Sequence, residues 1–361
     1  MPKETETDTV ELTQEQRILR DSIADFIGKE CPLEKVKEMI EAAQPYDPKL
    51  WSKMAEQEYI GMLLPESAGG MGYGPVELTI AAEEMGRASL PGPFLANLWG
   101  TGLIDRTEPT PLRDKALAQI ANGEMIVSVA FEQLAENGLS APLELKAERV
   151  DAGYRLSGPS GYILDGAVSG RVVILFRDSD GSPLLALLSM DTPGLILSKA
   201  STLDHMRPCQ RLSCDDALVR EADVLAPVDS GVETGTLLAG LAASAEMIGT
   251  MDWILRETSA SLKKRSQMGM AVKAFEDVPA ECEELILQVE RCRAMLHAAA
   301  ALLQESGKSA AAAVSEASRA CVEAAGALRV LLLRRQEGME LSIEHDIGMF
   351  RSVPPFYGSI A

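Results

Sequence analysis

Basic residues are scarce in this chain: 34 Lys and Arg stand against 54 Asp and Glu, a formal net charge of −20 over 361 residues. Nucleic acid is therefore excluded as a partner, because phosphate binding needs a basic surface. An anionic membrane surface is excluded on the same ground. Long apolar runs are missing too. None approaches the ~18 residues of a membrane span, and the opening "MPKETETDTVELTQEQ" lacks the apolar core of a signal peptide. There are three histidines, and the six cysteines (Cys31, Cys209, Cys214, Cys282, Cys292, Cys321) form no CxxC pair. A metal site or a disulfide framework is not expected; a cytoplasmic protein with reduced thiols is.

What is present is 46% hydrophobic residues, enough for a large core split into two or three domains. Residues 12–47 read as helix, with Thr13 as N-cap and Leu19, Ile23, Phe26 and Ile27 at helical spacing. "LWSKMAEQEYIGMLLP" predicts a second helix stopped by Pro65, and "PVELTIAAEEMGRAS" a third. Between 125 and 228 the texture changes to short β-prone runs ("MIVSVAF", "GYRLSG", "RVVILF", "LLALLSM") separated by turn residues such as Asp180–Gly181 and Pro193–Gly194. Helical patterns return over roughly 234–270, 279–306 and 309–337. The expected plan is α+β and multidomain: an N-terminal helical domain (1–124), a middle antiparallel β domain (125–228) and a C-terminal four-helix-bundle-like domain (229–361).

Five stretches in this order resemble the acyl-CoA dehydrogenase family over nearly the whole chain. "LTQEQRILRDSIADFI" resembles its opening helix. Trp51, Gly61, Pro65, Glu66, Gly69, Gly70 and Gly72 are similar to its Trp…Gly-x4-Pro-Glu-x2-Gly-Gly-x-Gly signature. "GYRLSG" resembles the start of a middle-domain hairpin, "RSQMG" the Arg-x-Gln-Phe-Gly word, and "SIEHD" a late Thr-x-Glu segment. The resemblance implies FAD as cofactor and α,β-dehydrogenation of an acyl-CoA. A carboxylate base must reach the α proton, and the flavin must receive hydrogen bonds at its N1/C2=O region.

The chain departs from that family where the chemistry is done. In most members the base is a Glu near the C-terminus, but no carboxylate follows Asp346. A minority carry it about seven turns before the Arg of Arg-x-Gln-Phe-Gly, which here lands on Ala239. Glu246, seven residues further on, is the acid weighed as a substitute base, and its plainer reading is a helix-surface or interface carboxylate. The flavin loop, Thr-Glu-Pro-x-x-Gly-Ser-Asp in the family, reads "FEQLAENG": Phe131 replaces Thr, Gln133 replaces Pro, and only Glu132 is kept. A phenyl ring cannot donate the hydroxyl hydrogen bond. Ser160 stands where the family has Lys.

The cofactor's other end is better preserved. The family's Arg-x-Gln-Phe-Gly grips the pyrophosphate of an FAD bound mainly to a neighbouring subunit. By resemblance that assigns Arg265, Gln267 and Met268, with Ser342 and Glu344 at the adenosine end; Arg suits phosphate as a planar, permanently charged fork. The neighbouring Lys263 and Lys264 read as solvated, since three consecutive side chains fan over more than half a helix circumference. Gly69, Gly70 and Gly72 read as a tight turn, and Met247 and Met251 as core.

The expectation is a subunit that lacks its own base and flavin loop, shares FAD with a homologous catalytic acyl-CoA dehydrogenase subunit, and faces acyl-CoA in that partner's site. It resembles the two-chain α2β2 enzymes of bacterial steroid side-chain degradation. Two alternatives stay open: an active homo-oligomer using Glu246, and a flavin-free scaffold or CoA-ester binder.

Overall fold

The computed structural model describes residues 11–131, 144–200, 207–267, 278–305 and 309–334, with backbone only for 261–267, 278–279 and 332–334. The first helix, α1 (Gln14–Glu30), begins where Thr13 closes a capping box. The Gln16 amide donates to Thr13 Oγ1 at 3.2 Å, and the Thr13 amide donates to Gln16 Oε1 at 3.0 Å. The helix expected over 12–47 is in fact two. Pro32, which has no amide hydrogen to continue the ladder, separates α1 from α2 (Leu33–Glu41). The helix expected to reach Pro65 is shorter as well. It is α3 (Pro48–Glu56), which ends before Glu58 turns left-handed at φ 60°. Turns follow to the glycine signature, where a Cβ on Gly70 would lie 2.3 Å from the Gly61 and Leu64 carbonyl oxygens. That close approach makes it a tight turn. The helices α4 (Pro75–Arg87), α5 (Phe94–Asp105) and α6 (Pro111–Ala121) complete the first third.

Among the described residues eight strands follow: β1 (Val127–Phe131), β2 (Lys146–Val150), β3 (Gly153–Leu164), β4 (Arg171–Arg177), β5 (Pro183–Ser189), β6 (Leu195–Lys199), β7 (Cys209–Arg220) and β8 (Val224–Leu225). They form one sheet in the order β6-β7-β3-β1-β4-β5-β8, with β2 paired to β3. The sheet is mixed rather than wholly antiparallel. β1 inserts between β3 and β4 and runs parallel to β4, Val127 opposite Arg171. A parallel neighbour needs a long crossover, and the β2–β3 hairpin lies within that connection. Long helices close the described chain: α7 (Gly231–Gln267), α8 (Val278–Gln304) and α9 (Ala310–Arg334). Among the described residues no helix is long and apolar enough to cross a membrane.

These elements fall into two compact units. One, the strand-bearing unit, holds α2, α3, α5, α6, the sheet and residues 231–240 of α7. Its core is the apolar face made by Tyr154, Leu156, Ile174, Phe176, Leu188 and Val219. α5 covers β1, and Asn97 Oδ1 accepts the Val127 amide at 2.9 Å. The other, the helical unit, holds α1, α4, residues 241–267 of α7, α8 and α9. α4 is buried from Leu78 to Gly86 because α1 and α8 both pack on it. Small residues set the α8–α9 spacing: Ala299, Ala300, Ala317 and Ala325 are fully buried. Met247 and Met251 are core, as their helical spacing suggests. The helical bundle therefore draws its fourth helix, α4, from the first third of the chain.

Candidate functional site

β1 ends at Phe131, the first residue of the segment matched to the flavin loop. The Phe131 ring is 2% exposed and packs against Trp99 of α5, with centroids 5.2 Å apart, and against Tyr162 of β3 at 6.4 Å. Arg211 of β7 lies over the other ring, its Cζ 5.3 Å from the Tyr162 centroid, and donates from Nη2 to the Tyr162 hydroxyl at 3.0 Å. Ser160 is fully buried, 3.1 Å from Cys214 Sγ. An isoalloxazine bound to this strand-bearing unit would need a hydroxyl donor and a flat open slot at the end of β1. The chain presents a buried phenyl ring inside an aromatic cluster and a serine turned into the sheet. Both side chains are buried and so are closed to a ligand. Glu132, Gln133 and Glu136–Gly138 lie outside the described residues.

The two candidate base positions differ sharply. Ala239 is a fully buried methyl group on α7, with no carboxylate to offer. Glu246, seven residues further along α7, is 7% exposed. Of the plainer reading's two forms, helix-surface or interface carboxylate, its burial excludes only the first. It lies where α7 crosses α4 with almost no space between the backbones. A Cβ on Gly86 would sit 2.1 Å from the Glu246 carbonyl oxygen, and one on Gly249 would sit 1.9 Å from that of Glu83. Thr250 ties the crossing by donating to the Gly86 and Glu246 carbonyls at 3.1 and 2.9 Å.

Around this crossing is a charged network that sequence reasoning did not single out. Arg87 pairs with Glu83 at 2.7 Å, with Glu84 at 3.3 Å and with Asp252 of α7. Arg293 of α8 binds Glu83 at 2.9 Å through Nη2 and at 3.0 Å through Nε, and pairs with Glu290. Burial opposes the Arg293 charge, but Glu83 and Glu290 outweigh it and push its pKa upward. Burial raises the Glu84 carboxyl pKa against the pull of Arg87. The signal available in sequence was Glu83-Glu84-x-x-Arg87, an i,i+3 and i,i+4 pattern on an otherwise apolar helix. Chemically the network is a clamp joining α4, α7 and α8. Its carboxylates at Glu83 and Asp252 are committed to guanidinium groups.

The residues assigned to the cofactor's pyrophosphate and adenosine are not brought together within the described residues. Arg265 and Gln267 fall in the last turn of the α7 backbone; Met268, Ser342 and Glu344 lie outside the described residues. The six cysteines are free thiols, all buried.

Residues 13–124 match the acyl-CoA dehydrogenase N-terminal domain. Acyl-CoA dehydrogenase IpdE2 of Mycolicibacterium smegmatis is 27% identical over 340 residues, 94% of this chain and 92% of that protein. The crystal structure of the ChsE4-ChsE5 complex from Mycobacterium tuberculosis superposes with a TM-score of 0.83 at 20% identity, covering 97% of this chain and 93% of the other. The Tcur3481-Tcur3483 steroid ACAD gives 0.79 at 22% identity, covering 94% and 92%. At such identities the solved structures speak to the fold, and they carry the same helical, strand-bearing and helical order. With residues 13–124 matched to that domain and a 27% identical relative aligned over 94% of this chain, the chain is similar to the acyl-CoA dehydrogenases.

Proposed function

We propose that this chain is the non-catalytic member of a two-chain, FAD-dependent acyl-CoA dehydrogenase. The family is one of oxidoreductases acting on CH–CH bonds. In this reading a homologous partner supplies the base and the flavin loop, while residues 229–361 supply Arg265, Gln267, Met268, Ser342 and Glu344 to the partner-held FAD. The observation that carries the proposal is the pairing of a buried Ala239 at a base position with a buried Phe131 at the head of the flavin loop. A homo-oligomer of such chains has no base at either family position. Two fold neighbours support a two-chain assembly: one is a ChsE4-ChsE5 complex, the other the Tcur3481-Tcur3483 steroid ACAD. The second supports a bulky, steroid-type acyl-CoA as substrate.

The test uses the co-expressed pair. Arg265→Ala removes a charge-assisted hydrogen bond to phosphate, ~1.5–3 kcal/mol, so FAD retention should weaken about tenfold to a hundredfold. Lys263→Ala, at a cation that the sequence pattern reads as solvated, should leave FAD retention within about twofold, since isolated surface charges contribute little. Equal FAD affinity in Arg265→Ala and the parent complex would refute the assignment.

A further inference from the structure

A second concentration of cations lies in the strand-bearing unit, remote in sequence from the cofactor words. Arg155 of β3, Arg171 of β4 and Arg220 of β7 line one cavity of about 420 Å³. Two acids, Asp216 and Asp223, line it with them, so the lining carries three positive and two negative charges, a net +1 in a chain of net −20. Leu188 and Leu218 give it an apolar floor.

The arrangement is built by an irregularity in the sheet. The β3–β7 register shifts between Leu156 and Gly158, which leaves an extra residue on β7. Asp216 occupies that bulge in the left-handed region at φ 56°, uncommon for a residue other than glycine. Its amide donates to Ser157 Oγ at 3.3 Å. So turned, Asp216 brackets one guanidinium nitrogen of Arg155, accepting at 2.6 Å through Oδ2 and at 3.1 Å through its own carbonyl. Arg171 Nη1 donates to the Leu187 carbonyl at 3.3 Å. Each guanidinium has five donors in a fixed fork, so these anchors orient Arg155 and Arg171 while consuming a minority of their hydrogens. Bulges and left-handed residues recur where a side chain must be aimed at a ligand.

We infer that this cavity binds a phosphomonoester carried on a small apolar or aromatic body. Planar forks match phosphate oxygens in pairs, the apolar floor suits a ring, and the volume lies in the range of small-molecule sites. A nucleotide and free phosphate share the recognised group.

The experiment titrates the full-length chain with inorganic phosphate, adenosine 5′-monophosphate and adenosine, reading heat of binding and melting temperature at low salt. The nucleotide should bind and raise the melting temperature, with adenosine silent. Phosphate binding as tightly as the nucleotide would mark free phosphate as the ligand. Arg155→Gln and Arg220→Gln should each weaken binding at least tenfold. Arg256→Gln, whose residue is outside the cavity and mostly exposed, should not. Absence of binding up to about 10 mM, weaker than any affinity of interest, would overturn the inference. So would adenosine matching the nucleotide, or undiminished affinity in both cavity variants.

Discussion

Arg293→Met is expected to destabilise the protein by about 3–5 kcal/mol, the range for removing one partner of a buried ion pair. The guanidinium is 9% exposed and makes two contacts with Glu83 that no other group can replace. Its removal leaves Glu83, itself 10% exposed, paired with Arg87 and takes from Glu290 its bond to the guanidinium. Methionine fills much of the volume, so the loss is electrostatic rather than a cavity effect. Urea unfolding monitored by circular dichroism should show a lowered midpoint at unchanged slope. The double variant Glu83→Gln with Arg293→Met should lose less than the two single losses added, with a coupling of about 1–3 kcal/mol, because groups in one network are not additive. A single-variant loss under about 1 kcal/mol would mean that the network is exposed and screened.

Gly249→Ala should be nearly as damaging, against the expectation from helix propensity. On propensity alone, alanine in place of glycine inside α7 would stabilise by about 1 kcal/mol. The new methyl, however, would sit 1.9 Å from the Glu83 carbonyl oxygen and 2.6 Å from the Arg87 amide. Both are backbone atoms of α4 and cannot swing aside. The helices must separate, which loosens the Thr250 bonds and the Arg87–Asp252 pair, and overpacking at a rigid contact costs about 1–3 kcal/mol or more. The steric cost exceeds the propensity gain, and a net loss of about 2 kcal/mol is expected. Gly28→Ala on α1 is the internal comparison. Nothing lies within 4 Å of its added Cβ, so it should stabilise by roughly 0.5–1 kcal/mol. Melting curves of the two alanine variants should therefore move in opposite directions.

The legible parts of the fold were those written in local chemistry. Thr13 and Gln16 announce the start of α1, and the three C-terminal helices fall within a few residues of their apolar patterns. Less legible were boundaries set by single residues: Pro32 splits one expected helix, and the left-handed Glu58 shortens another. The parallel β1–β4 pair was invisible because strand order is a tertiary fact that alternation cannot encode. At the candidate site, the departures from the family pattern were readable, since by resemblance Ala239 and Phe131 stand where the family has a carboxylate and a threonine. The close crossing of α4 and α7 was not readable. Gly86 and Gly249 look like ordinary helix glycines until the backbone of the other helix is seen against them.

The most direct test is the flavin content of the chain purified alone and after co-expression with a homologous partner. Absorbance at 450 nm and electron-acceptor reduction with acyl-CoAs report cofactor and turnover together. The expected result is neither flavin nor activity in the chain alone and both in the pair. Stoichiometric FAD with turnover in the chain alone would contradict the account.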